Sequence, residues 1–166
     1  DTYYLWIALE YGIIGFLAAR AIPGVEVVRP DRYARSIALG GASGSILVRP
    51  AGNGALLASI RFPVLTALPG IVARIRRIFD LGANPALIAE HLADDPHLAG
   101  LVAARPGLRV PGAWDGFELA VRAILGQQIT VAAATRLAGR LVALYGAPLA
   151  EPQGGLSHVF PPPERL

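Results

Sequence analysis

Residues 115–134 read DGFELAVRAILGQQITVAAA, and this stretch predicts two helices joined by an abrupt break. Asp115 precedes Glu118 by three positions, a spacing at which each side chain can satisfy a free backbone N–H at a helix start. The first helix should run to about Leu125, because Gly126-Gln127-Gln128 interrupts the helical period. Its predicted buried stripe comprises Phe117, Val121, Ile124 and Leu125. The segment therefore predicts a helical hairpin.

The second helix of this hairpin is expected to span residues 131–145. Thr130 can cap its first turn, and Gly146 supplies the usual stop. Beyond it lie Gln153-Gly154-Gly155 and Pro161-Pro162-Pro163, which are typical of irregular chain. We therefore interpret the tail as a connector.

Helical signals also precede the hairpin. Asn84-Pro85 and Asp95-Pro96 each combine a capping side chain with proline at the first helical position, which predicts short helices at about 85–93 and 96–104. A further helix is expected over 65–79. Its apolar stripe comprises Leu68, Ile71, Val72, Ile75 and Phe79.

At residues 25–62 the helical period gives way to short β-like runs. This pattern predicts an antiparallel meander of about four strands. Asn53-Gly54 between two apolar runs indicates a tight hairpin turn. The glycine-rich segment at 40–44 is interpreted as a hairpin connection rather than as a phosphate cradle. Strands followed by helices favour an α+β fold over a wound parallel sheet.

The apolar run from Leu5 to Ala21 is predicted to be one buried amphipathic helix that ends near Ile22, before Pro23-Gly24. The run is about 17 residues long, which is the short limit for a membrane span, and Glu10 lies in its middle. A signal peptide would begin with positive charge, whereas this chain begins with Asp1. We expect neither a signal peptide nor a membrane span here.

The composition excludes several kinds of chemistry. Of 166 residues, 54% are hydrophobic and 16% charged, which excludes intrinsic disorder. The chain lacks cysteine and lysine, so it has no disulfide, no cysteine-ligated zinc and no lysine Schiff base. The net charge of +3 permits an anionic partner without requiring one.

The common catalytic signatures are missing as well. There is no dinucleotide-binding G-x-G-x-x-G after a strand and no G-x-S-x-G elbow. His91, His97 and His158 lack the spacing of metal ligands. The sequence therefore predicts neither a cofactor nor a metal.

The break at Gly126-Gln127-Gln128 is the one candidate site that the residues themselves suggest. It projects two side-chain amides from a single corner, and an amide can both donate to and accept from a base edge. An ordinary helix-hairpin turn with solvated glutamines explains the same residues. Both interpretations stay open at this point.

Several ordered segments resemble the AlkA-type 3-methyladenine DNA glycosylases of the helix-hairpin-helix superfamily. The match covers nearly all of the chain. It is carried by RPGLRVPG at 105–112, DGFE at 115–118, RAILGQQITVAAA at 122–134, GFLAARA at 15–21, GVE at 24–26, YARS at 33–36, RIFDL at 77–81 and Asn84-Pro85.

The resemblance implies a fold and a domain division. Residues 1–80 would form a TBP-like α+β domain, in which an antiparallel sheet carries two helices. Residues 81–166 would begin an all-helical glycosylase domain and leave it incomplete.

The resemblance also implies base-excision repair, in which the damaged nucleotide is flipped out of the duplex before its N-glycosidic bond is hydrolysed. Gln128 would be the wedge that enters the vacated stack, and Gln127 would lie beside the flipped nucleotide. Phe16 would be an aromatic wall of the base pocket, with packing inside the first helix as the alternative. Arg122, Arg136 and Arg140 would bind flanking phosphates, with a solvated helix face as the alternative.

No catalytic residue is assigned to this chain. The family's helix-hairpin-helix and the aspartate that follows it have no counterpart here, so the chain resembles the N-terminal portion of the enzyme and should be inactive alone. The lack of lysine is consistent with a monofunctional hydrolase.

The expected partner is double-stranded DNA containing alkylated bases. The expected protein is a monomer in the cytoplasm, associated with the nucleoid, without cofactor or membrane. The rival interpretation is a non-catalytic DNA-binding or alkylation-response regulatory module with a glycosylase-like fold.

Overall fold

The computed structural model describes residues 2–6, 12–52 and 55–166, which form the predicted α+β fold. In chain order the elements are β1 (Thr2–Trp6), α1 (Gly12–Ala19), β2 (Glu26–Arg29), β3 (Arg32–Leu39), β4 (Ala42–Gly52), β5 (Ala55–Arg61), α2 (Leu68–Ile78), α3 (Pro85–Ala93), α4 (Pro96–Ala104), α5 (Gly116–Leu125), α6 (Val131–Tyr145), β6 (Pro148–Gln153) and β7 (Leu156–His158). Single 3-10 turns lie at Leu65–Ala67 and Pro163–Arg165.

The main sheet has five strands in the order β1-β5-β4-β3-β2, and all neighbours are antiparallel. Strands β2 to β5 confirm the predicted meander. Gly40 and Gly41 form a two-residue turn with φ of 58° and 81°, a backbone that favours glycine. The Asn53-Gly54 turn lies outside the described residues, although Gly52 and Ala55 on either side of it are paired.

The prediction of one helix over Leu5–Ala21 is wrong in its first part. Thr2–Trp6 is a strand along β5, with Leu5 in register with Leu56, and the helix spans only Gly12–Ala19. A buried apolar run is compatible with a helix or with a strand. Here, pairing with β5 satisfies the backbone groups of β1 as a strand. Within the described ranges, no helix combines the length and the apolar character needed to cross a bilayer.

Helices α1 and α2 cover one face of the sheet and form the main core. Ile13 and Leu17 of α1 are buried in this core. The predicted stripe of α2 is confirmed, since Ile71, Ile75 and Phe79 are buried while Leu68 and Val72 pack at their edge. The sheet contributes Tyr33, Ile37, Ile46, Val48, Leu56, Ala58 and Ile60.

The capping signals place the starts of α3 and α4 correctly. The Asn84 side chain accepts from the backbone N–H of Ala86 at 3.1 Å, and the Asp95 carboxylate accepts from that of His97 at 2.7 Å. Both helices begin at the proline that follows the cap. Local hydrogen bonds therefore determine these boundaries.

The helical hairpin α5–α6 also begins where predicted, with two corrections to its side chains. Asp115 accepts from the Glu118 N–H at 2.9 Å, and Thr130 accepts from the Ala133 N–H at 3.2 Å. Glu118 does not return the capping bond, because its carboxylate binds buried arginines instead. Ile124 is 67% exposed and is not part of the buried stripe.

The interpretation of the tail as a connector is wrong. Strands β6 and β7 form a hairpin, and the Ser157 N–H donates to the Gly24 carbonyl at 2.8 Å. Leu149 and Leu156 are buried in a cluster with Val27 and Ala34 of the main sheet, so apolar contact holds the tail. The division into residues 1–80 and 81–166 stays a prediction.

Candidate functional site

The turn between α5 and α6 is exposed and conformationally unusual. Gly126 ends α5 by donating its N–H to the Arg122 carbonyl at 3.0 Å. Gln127 and Gln128 are both exposed, and Gln128 has a φ of 60°. A residue with a Cβ rarely adopts this left-handed backbone, and such outliers are concentrated at functional sites. The break therefore presents two amide side chains to solvent.

An apolar cavity of about 320 Å³ lies between the end of α1 and this break. Phe16 and Arg20 line it on the α1 side, and Gly126 and Ile129 line it at the turn. The first turns of α6 complete it. The remaining lining residues are Ala19, Ile22, Arg122, Val131, Ala134, Thr135 and Ala138. Its size and apolar lining fall within the range of small-molecule pockets.

Phe16 faces this cavity and does not pack into the core of the sheet domain. Its side chain is 47% exposed, whereas Ile13 and Leu17 on the same helix are 6% and 5% exposed. The Arg20 guanidinium carbon lies 4.9 Å from the centroid of the Phe16 ring, a cation–π distance. The structure thus brings Phe16 and the Gly126 turn to one site.

The three predicted phosphate-binding arginines differ in their surroundings. Arg136 and Arg140 are exposed and lie one helical turn apart on α6, about 160° around the helix from the buried Ala138. They are therefore not on the face that lines the cavity. Arg122 is only 14% exposed at its side chain, and all three guanidinium nitrogens are engaged internally. These internal bonds disfavour Arg122 as a phosphate contact, and the role expected for it stays a prediction.

Arg122 belongs to a buried cluster of charges that the sequence did not predict. Its Nη2 lies 2.5 Å from Glu26 Oε2 and 2.6 Å from Glu118 Oε1. Arg35 Nη2 lies 2.6 Å from Glu118 Oε2, and Arg35 Nη1 lies 3.7 Å from Glu26 Oε1. The Tyr33 hydroxyl donates to Glu26 at 2.7 Å. Two carboxylates and two guanidinium groups thus join β2 and β3 to α5.

The cluster shifts the pKa of its members. Burial alone would raise the pKa of Glu26, but Arg35 and Arg122 outweigh it and hold that pKa below 4.5. Burial and the Glu26 carboxylate raise the pKa of Tyr33 well above 10. Glu26 is therefore held charged, and both arginines stay protonated.

Two sequence signals could have indicated the cluster. Glu26 interrupts the apolar run at 25–28, and Glu118 and Arg122 have the i,i+4 spacing of a helical ion pair. Neither signal identifies a partner 83 or 96 residues away.

The fold is that of a DNA glycosylase. The 3-methyladenine DNA-glycosylase from Archaeoglobus fulgidus superposes with a TM-score of 0.81 at 22% identity, over 99% of this chain and 57% of that chain. A family model described as the AlkA N-terminal domain matches residues 10–115. The chain belongs to that family, which confirms the resemblance found in the sequence.

Two curated relatives match most of the chain. A probable bifunctional transcriptional activator/DNA repair enzyme AlkA from Mycobacterium tuberculosis is 43% identical over 158 residues, which are 93% of this chain and 31% of that protein. The DNA-3-methyladenine glycosylase 2 of Escherichia coli is 39% identical over 155 residues, which are 93% of this chain and 52% of that protein. The chain spans about half or less of these relatives.

Proposed function

We propose that the protein containing this chain removes alkylated bases of the 3-methyladenine type from double-stranded DNA. It would flip the nucleotide out of the duplex and hydrolyse the N-glycosidic bond. The observation that carries this proposal is the apolar cavity with Phe16 on one side and the Gly126 turn on the other. The names of the two curated relatives support the same activity.

Gln128 is the proposed wedge. Flipping a nucleotide leaves a gap in the base stack, and unstacking costs a few kcal/mol that an inserted side chain can offset. Gln128 is exposed and has a left-handed backbone at the corner between α5 and α6, which supports its role as an inserted side chain. Its amide could also bond to the base left without a partner. Gln127 would contact the flipped nucleotide.

Phe16 is the proposed aromatic wall of the base pocket. An alkylated purine that carries positive charge is attracted to the face of an aromatic ring. The Arg20 guanidinium carbon, 4.9 Å from the centroid of this ring, supports its suitability for cation–π contact. Arg136 and Arg140 are the proposed phosphate contacts, supported by their exposure and their shared helix face.

The chain itself would recognise DNA rather than complete the reaction. The catalytic carboxylate would come from another part of the full-length protein, and the reaction would be a monofunctional hydrolysis. A second function, DNA binding by an alkylation-response regulator, is favoured by one relative's description as a transcriptional activator/DNA repair enzyme.

Base release by the full-length protein tests the proposal. Alkylated duplex DNA should yield free 3-methyladenine, and Phe16→Ala should reduce the single-turnover rate about tenfold. Leu65→Ala is a matched control, because Leu65 is 70% exposed and does not line the cavity. Specific DNA binding without base release would reject the enzyme and favour the regulator. Base release by residues 1–166 alone would contradict the proposal that the catalytic carboxylate comes from another part of the full-length protein.

A further inference from the structure

Arg122 contacts both walls of the cavity, although it was expected at the DNA surface. Its Nη1 donates to the Arg20 carbonyl at 2.8 Å, at the end of α1. Its own carbonyl accepts from the Gly126 N–H at 3.0 Å, at the break after α5. One residue therefore connects the wall that carries Phe16 to the wall formed at the Gly126 turn.

Glu26 holds the same segment of chain from the other side. Its Oε2 accepts from the Ile22 N–H at 3.0 Å and from Arg122 Nη2 at 2.5 Å. The chain from Arg20 to Ile22 is thus fixed at one carbonyl and one N–H by two side chains that are bonded to each other. Phe16 lies one helical turn before Arg20, so this clamp sets where the Phe16 ring stands.

The clamp is stiff because every member has a charged partner in a buried setting. Glu118 binds Arg122 at 2.6 Å and Arg35 at 2.6 Å, and Arg35 is 2% exposed. Charge-assisted hydrogen bonds of this length are short and directional. Movement of the end of α1 against α5 would have to break the bond from Arg122 to the Arg20 carbonyl, and Glu26 and Glu118 hold Arg122 in place.

We propose that Arg122 is a positioning residue, which sets the separation of Phe16 from the Gly126 turn and thereby the fit of the extruded base. This inference rests on the proposed function. Arg122 lines the cavity, but its guanidinium nitrogens bond to Arg20, Glu26 and Glu118, so it would act on the base through these contacts. The clamp acts on the geometry of the pocket, and small displacements of a bound group relative to the reacting atoms can lower a rate about 10²-fold.

Arg122→Lys is the informative variant. Lysine keeps the positive charge beside Glu26 and Glu118 but lacks the planar fork that reaches three acceptors at once. Arg122→Met leaves the two carboxylates with less countercharge and serves as the severe variant. Arg32→Met is the matched control, because Arg32 is exposed and pairs with Asp31 at the surface.

Hydrogen exchange, base release and DNA affinity, measured on the full-length protein, decide the proposal. In Arg122→Lys, hydrogen exchange of the amides at 16–22 should rise at least about tenfold, while that of the α2 amides at 71–75 stays unchanged. The single-turnover release of 3-methyladenine should fall about 10- to 100-fold. Affinity for a duplex with an abasic site should change less than about twofold, since no base enters the cavity.

The outcomes separate the two proposals. Unchanged exchange at 16–22, or a variant that does not fold, overturns the positioning role. A parallel loss of thermal stability, abasic-site affinity and rate also overturns it, since that pattern reflects a general structural role. If the wild-type protein releases no base but exchange rises at 16–22, the clamp stands and the proposed function fails.

Discussion

Gln128 adopts a backbone conformation that glycine would adopt without strain. Its φ of 60° costs about 1–2 kcal/mol for a residue with a Cβ. Strain that persists at an exposed corner is consistent with a side chain retained for binding rather than for folding.

Replacing Gln128 by glycine should therefore separate stability from activity. We expect Gln128→Gly to raise the free energy of unfolding by about 1 kcal/mol, because the backbone strain is relieved. Base release by the full-length protein should fall about tenfold, because the wedge is lost. Denaturant unfolding and single-turnover assays measure the two effects. Gln127→Gly is the control for stability, and an equal gain in both variants would contradict the explanation.

The proposed phosphate contacts of Arg136 and Arg140 predict how DNA affinity depends on salt concentration. If Arg136 neutralises one DNA phosphate, Arg136→Gln should lower the slope of log affinity against log salt concentration by about 0.9. Binding of an alkylated duplex measured at several salt concentrations gives that slope. Arg29→Gln, which removes an exposed arginine from β2, should leave it unchanged. The same slope for Arg136→Gln and the wild type would remove Arg136 from the DNA contacts.

At the scale of the elements, the cap of α5 matters because this helix leads to the break. Asp115→Ala should lower the free energy of unfolding by about 1 kcal/mol, since the Glu118 N–H loses its acceptor. Glu90→Ala, at an exposed position of α3, should change it by less than about 0.5 kcal/mol. Urea unfolding of both variants measures the difference. Equal effects would show that the cap contributes nothing specific.

Elements defined by local chemistry could be predicted from the sequence, and elements defined by distant partners could not. The boundaries of α3 to α6 follow from capping side chains within three residues of the helix start. The β1 strand needs β5, and the β6–β7 hairpin needs the face of the main sheet. In both segments, contacts with distant strands determined the structure more than the local sequence pattern did.

The candidate site likewise has features that could be predicted from the sequence and features that could not. The break at Gly126 was predictable because glycine ends a helix locally. Its cavity was not, because Phe16 and Gly126 come together only through the fold. Helical spacing alone does not separate a core face from a cavity wall, so the sequence does not decide between the two roles of Phe16. The internal bonds of Arg122 could not be predicted, because a charge on a helix is usually solvated and two of its acceptors lie 96 and 102 residues away.

At the scale of the whole molecule, stability should depend on pH through the buried cluster. The pKa of Glu26 is lower in the folded protein than its ordinary value of 4.5. The stability that the charged Glu26 carboxylate contributes is therefore fully present above about pH 4.5, and it is lost as the pH falls through the folded-state pKa. The pKa of Tyr33 is raised well above 10, so stability should also fall as pH rises past about 10.

Urea unfolding between pH 3 and pH 7 measures the loss of stability at acid pH. The Glu26→Gln variant should be less stable at pH 7 and should lose less stability on acidification. Asp31→Asn is the control, because the Asp31 side chain is 71% exposed. A loss of stability at acid pH that is unchanged in Glu26→Gln would assign the pH dependence to other carboxylates.

The ionic contacts between the sheet and α5 also limit how the chain can be divided. A segment ending at residue 80 would retain Glu26 and Arg35 yet lose Glu118 and Arg122, leaving a guanidinium and a carboxylate at an apolar surface with half of their counterions removed. Such a piece would be poorly suited to fold alone or to be grafted onto an unrelated partner. The sheet and the first helices after it are expected to be inherited together as one recombination unit.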